Sequence, residues 1–102
     1  MIKIEELLLK AQEAKASDLH ISVGIPPKIR VNGELIPLDY EDMTPQDTKE
    51  IIEPILSDKI LDTLAMEGEA DFSYAIHGIG RFRVNVFRQR GSYALVIRLV
   101  AT

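Results

Sequence analysis

No cysteine occurs in the chain, which excludes disulfide bridges and thiolate sites and is compatible with a reducing cytoplasm. No apolar run approaches the ~18 residues that a membrane-spanning helix needs. The first stretch, MIKIEELLLKAQEAK, carries Glu5, Glu6 and Glu13 among its apolar positions, which the core of a secretory signal would not tolerate. The expectation is a cytoplasmic protein with no membrane insertion. Glycine occurs six times but never in the spacing GxxxxGK[ST] of a phosphate-cradling loop. No serine sits in a nucleophile elbow. His20 and His77 stand far apart without metal-ligand spacing around either. His20, two residues after Asp18, is expected to be a hydrogen-bonded structural residue. Nothing in this chain is equipped to run a reaction alone, and no metal site is expected.

What is present is one domain's worth of sequence, 102 residues of which 46% are hydrophobic and 27% charged. The net charge of −4 argues against a nucleic-acid binder, but its distribution is uneven. Residues 1–71 hold all 16 acidic side chains and seven basic ones; residues 72–102 hold Arg81, Arg83, Arg88, Arg90 and Arg98, with no lysine and no acid. Such asymmetry points to a localised anion site. Five arginines fit it better than lysines would, because a planar fork of donors matches phosphate or carboxylate. The plainer reading is a basic surface that pairs with acids from the first 71 residues.

Ile4, Leu7, Leu8, Ala11 and Ala14 recur at helical spacing and predict an amphipathic helix of about three turns. SDLHISVG then alternates Leu19, Ile21 and Val23 against Asp18, His20 and Ser22, a half-buried strand ending at Gly24. Pro26-Pro27 marks a turn. KIRVNGELIPL reads as a hairpin about Asn32-Gly33. Thr44 caps a helix with Pro45 at its first position, and Pro54 should end or kink it. Ser57 caps another, with Ile60, Leu61 and Leu64 on its apolar side and a stop before Gly68. Three strands follow, EADFSYAI, GRFRVNVF and SYALVIRLV, joined by short glycine-bearing links that force antiparallel neighbours. The fold class is α+β: an antiparallel sheet of five or six strands with helices packed on one face.

Strand alternation puts Phe82, Val84 and Val86 on one face and Arg81, Arg83 and Asn85 on the other; likewise Tyr93, Leu95 and Ile97 against Ala94, Val96 and Arg98. A two-residue turn at Gln89-Arg90 would set Phe82 opposite Ile97, Val84 opposite Leu95 and Arg98 across from Arg81, diagonal to Arg83. Three guanidiniums would then gather on the polar face with no acid on either strand. Like charges directly opposite destabilise a sheet, so an external anion is the expected counterweight. Arg88 and Arg90 belong to the hairpin tip, where solvated loop charge is the expected reading.

Two blocks of the sequence resemble a known family. ASDLHISVGIPPKIRVNGEL, residues 16–35, is similar to the opening signature of the PilT-like ATPases: a small residue, Ser-Asp-Leu-His, a glycine, a double proline and Arg-Val-x-Gly. DFSYAIHGIGRFRVNVFRQRGSYALVIRLV, residues 71–100, resembles that family's Asp-Phe-Ser, Gly-x-x-Arg-Phe-Arg-Val-Asn and final arginine-bearing strand. The middle helices fit in position and polarity, so the resemblance spans the chain. It implies residues 1–102 as the amino-terminal PAS-like domain of a hexameric motor that retracts type IV pili and powers twitching motility. The motor is expected at the cytoplasmic face of the inner membrane. ATP, with Mg²⁺ held by a RecA-like core, would bind in the cleft between the two domains. Arg83 and Arg98, fifteen residues apart, match two arginines that reach the ATP phosphates in related secretion ATPases, and Arg81 matches a neighbouring arginine of the retraction branch. The implied partners are the cores of the same and adjacent subunits in a homohexamer and a pilus platform protein of the inner membrane.

The chain reaches Thr102 before any core motif, so a truncated piece that does not hydrolyse ATP by itself is expected. The start near Met1 and the Arg-Phe-Arg-Val-Asn string favour the retraction branch. Two other readings stay open. A free-standing PAS-like sensor would bury a small ligand between sheet and helices, although no polar anchor is evident there. A nucleic-acid module would use the basic hairpin, where Phe87 and Tyr93 are the sparse stacking candidates.

Overall fold

A computed structural model describes residues 2–100 of the chain. Met1 and residues 101–102 lie outside the described residues. The amphipathic first segment forms α1 (Ile4–Glu13), burying Ile4, Leu7, Leu8 and Ala11. Strand β1 (Asp18–Ile21) is shorter than the alternation predicts, and Val23 is exposed beyond its end. Strands β2 (Lys28–Val31) and β3 (Glu34–Pro37) form the expected hairpin. Asn32 and Gly33 both adopt positive φ, 51° and 83°, the geometry that a two-residue turn needs to match strand twist.

Helix α2 (Pro45–Ile52) opens on a complete capping box: the Thr44 hydroxyl accepts from the Asp47 amide at 3.1 Å, and the Asp47 carboxylate accepts from the Thr44 amide at 2.8 Å. It ends where Pro54 forbids a further helical hydrogen bond, tightening into a 3₁₀ turn, Glu53–Ile55. Helix α3 (Asp58–Glu67) is capped by Ser57 and stops at Gly68, whose φ of 81° is the left-handed conformation of a C-terminal cap. Strands β4 (Glu69–Ile76), β5 (Gly80–Gln89) and β6 (Ser92–Leu99) complete the chain.

The six strands form one antiparallel sheet in the order β3-β2-β1-β6-β5-β4. Leu19, Ile21, Ile29, Val84, Val86, Leu95 and Ile97 share one face and pack in a single core with the buried sides of the three helices. The opposite face carries Asp18, Arg30, Arg83, Asn85 and Arg98, as alternation requires.

One expectation fails in register. The β5–β6 turn is Arg90-Gly91, not Gln89-Arg90: Gln89 pairs with Ser92, and the turn residues have φ of 53° and 79°. Glycine takes the second left-handed position without a Cβ penalty, which moves the turn one residue along. Every pair slides by two, so Phe82 faces Leu99, Val84 faces Ile97 and Val86 faces Leu95. A slip of two preserves the side-chain period, and the apolar and polar faces survive it.

Candidate functional site

The corrected register rearranges the arginines. Arg98 lies directly opposite Arg83, not opposite Arg81. Arg81 pairs across to Ala75 of β4 and takes a hydrogen bond from the Val100 amide on its carbonyl, one step outside the facing pair. A continuous row crosses the helix-free face: Leu35, Arg30, Asp18, Arg98, Arg83 and Ser73, each a registered neighbour of the next. Asp18, Asp71, Arg83, Asn85, Val96 and Arg98 help to line a shallow cleft there of about 260 Å³.

Two like charges facing each other across a ladder repel, and here the protein partly offsets this itself. Neither β5 nor β6 supplies an acid, but β1 does. Asp18 Oδ1 lies 3.6 Å from Arg98 Nε, and Asp18 Oδ2 lies 3.8 Å from Arg30 Nε. The Ser17 hydroxyl donates to Oδ2 at 2.7 Å. On the other side, Arg83 Nη1 donates to the Ser73 hydroxyl at 2.9 Å. The β4 carboxylates are held by an amide: Asn85 Nδ2 donates to Asp71 Oδ1 at 3.0 Å and to Glu69 Oε1 at 3.3 Å. The external anion expected as counterweight is thus joined by an acid from the first 71 residues, as the plainer reading has it, since Asp18 on the neighbouring strand carries part of the compensation.

Magnitudes decide how far this compensation goes. The Arg98 side chain is 76% exposed and meets Asp18 through one long contact; such pairs contribute ~0–1 kcal/mol. A phosphate oxygen accepting from guanidinium at about 2.7–2.9 Å forms a bond roughly twice as strong as a neutral one. Arg83 and Arg98 thus remain able to take a multiply charged anion. Arg88 and Arg90 do not join them. Arg88 lies over the Tyr93 ring, 4.4 Å from its centroid, and donates to the Gly91 carbonyl at 3.2 Å, while Arg90 occupies the turn.

His20 sits on the same face, half-buried between Lys28 and Val96 in register. Burial lowers its pKa from the usual 6.5, against a smaller upward pull from Asp18 and with a further lowering from Arg30. Among the described residues, no group of three or more His, Cys, Asp or Glu side chains is placed to hold a metal, and no helix is long and apolar enough to cross a membrane.

The fold and this face define a class: an α+β domain whose six-stranded sheet is covered by helices on one side and presents a facing arginine pair on the other. No family model matches the chain. It is 34% identical over 101 residues to the type IV pilus ATPase PilU of Pseudomonas aeruginosa, and 36% identical over 97 residues to the type IV pilus retraction ATPase PilT of the same organism. These alignments cover 99% and 95% of this chain but 26% and 28% of those proteins. A crystal structure of the pilus retraction motor PilT with bound ADP superposes over the whole chain at a TM-score of 0.92 and 40% identity, covering 30% of that protein. The Legionella pneumophila ATPase DotB shares the fold, with a TM-score of 0.79 at 22% identity over 97% of the chain. The chain belongs to the PilT-like ATPase family, to whose amino-terminal domain it corresponds, and it spans about a quarter of the length of these relatives.

Proposed function

We propose that residues 1–102 are the amino-terminal domain of a motor ATPase that powers type IV pilus retraction, and that Arg83 and Arg98 hold the phosphates of bound ATP. The observation that carries this reading is the direct cross-strand pairing of the two arginines on the face that no helix covers. The similarity to PilT, crystallised with ADP, supports the nucleotide. A RecA-like core, from the same and adjacent subunits of a homohexamer, would close over this face and hold Mg²⁺. The bound group would supply a labile phosphoanhydride. Arg83 and Arg98 neutralise charge on its oxygens and lose those contacts when the terminal phosphate departs, which lets the domain swing against the core. Arg81 is a supporting charge. The motor would work at the cytoplasmic face of the inner membrane, with a platform protein of the pilus as partner. This chain, lacking a phosphate-binding loop, would not hydrolyse ATP alone.

A free-standing sensor needs a pocket between sheet and helices, and there Leu7, Leu8, Leu19, Ile52 and Ile97 pack at 0% exposure. The test is turnover in the full-length motor. Arg83→Ala or Arg98→Ala should lower the ATPase rate at least tenfold, with fold and hexamer unchanged. Unchanged turnover would remove the phosphate role.

A further inference from the structure

Among the described residues Asp18 is the one buried acid of the helix-free face, 8% exposed, and it stands between two arginines on flanking strands. Its fixed side is its own strand, where the Ser17 hydroxyl donates to Oδ2. Its adjustable side is Arg98, whose side chain is 76% exposed, whereas Arg30, 37% exposed, is held by its Nη1 donating to the Gly33 carbonyl at 2.8 Å. Both contacts run through Nε and both exceed 3.5 Å, so neither is a tight hydrogen bond. The carboxylate is therefore divided between two cations.

We infer that Asp18 is a built-in competitor for Arg98: a phosphate anion binding to the Arg83–Arg98 pair must displace the carboxylate, which Arg30 then takes up. The inference rests on the phosphate reading above and adds two residues to it, Asp18 and Arg30, that act through Arg98 and are not themselves phosphate ligands. An anion approaching Arg98 meets the negative charge of Asp18 beside it, and that repulsion weakens binding. Arg30 softens the exchange, because the displaced carboxylate keeps a cation on its other side. When the phosphate leaves, Asp18 recovers Arg98 and the site returns to its resting pairing. Such a competitor sets the affinity low enough for release, which a motor that rebinds nucleotide each cycle requires.

The experiment titrates this chain with inorganic tripolyphosphate and follows the arginine Nε–H resonances by NMR, with thermal unfolding as a check of fold. Asp18→Asn keeps the shape and can still accept from Ser17; it should tighten tripolyphosphate binding about three- to fivefold at low salt, the range open to one nearby screened charge. Arg30→Gln should weaken binding by a similar factor, because Asp18 is left to Arg98 alone. In the Asp18→Asn background, Arg30→Gln should change nothing. Unchanged or weaker binding in a folded Asp18→Asn chain overturns the competitor. An Arg30 effect that persists in the double variant overturns the indirect role and makes Arg30 a ligand. If Asp18→Asn does not fold, unchanged affinity in Arg30→Gln overturns the inference. Failure of the underlying reading looks different: Arg83→Gln and Arg98→Gln would leave tripolyphosphate binding unaltered, or no arginine resonance would move at millimolar tripolyphosphate.

Discussion

Asp18 and Arg98 are 80 positions apart in sequence and neighbours in the sheet, and that separation explains what a single sequence does not reveal. Alternation alone puts Asp18, Arg83 and Arg98 on polar strand faces. It carries no information that β1 lies against β6, so the acid that partners Arg98 was invisible while the arginine was not. The apolar side was fully legible: Leu95 is 1% exposed, as its phase in SYALVIRLV requires. Leu95→Asp should unfold the domain, since an unpaired charge in that layer costs on the order of 4 kcal/mol or more; a cooperative, soluble variant in chemical denaturation would contradict the face assignment. His20 gives a pH dependence of known sign. Its pKa is lowered in the fold, so the unfolded chain binds the proton more readily, and stability is full above the unfolded pKa of ~6.5 and declines as pH falls through it. His20→Gln should lose less of its melting temperature between pH 7.5 and 5.5 than the native chain, the difference opening as pH falls below ~6.5.

Elements announced themselves where local chemistry was strong. Thr44, Pro45 and Asp47 write a helix start that needs no tertiary context, and both hydrogen bonds of the box form. Thr44→Ala should cost about 1 kcal/mol, seen as a lower denaturation midpoint with an unchanged slope. Pro54 and Gly68 likewise end their helices as local sterics demand. The β5–β6 turn was the exception. Both Gln89-Arg90 and Arg90-Gly91 close a two-residue hairpin, and the choice falls to glycine's tolerance of positive φ. That one-residue move of the turn exchanges Arg81 for Arg83 as the partner of Arg98. Arg90 itself holds a φ of 53°, which a side chain of its type adopts at a cost. Arg90→Asn should recover up to about 1 kcal/mol and raise the melting temperature; a lower one would mean that the arginine side chain supports the hairpin in some other way.

At the scale of the whole molecule, two faces divide the labour. Helices bury one side of the sheet and supply its stability. The other side keeps its charges at the surface, with Arg83 and Arg98 opposed and only loosely compensated. An antiparallel sheet can leave one face to water; on the function proposed above, a nucleotide-bearing core would close on this one. A structure of the full-length motor with a non-hydrolysable ATP analogue should place guanidinium nitrogens of both Arg83 and Arg98 about 2.7–2.9 Å from phosphate oxygens, with Asp18 drawn toward Arg30. Nucleotide bound in the core with both guanidiniums turned to solvent, and Asp18 still against Arg98, would contradict the account.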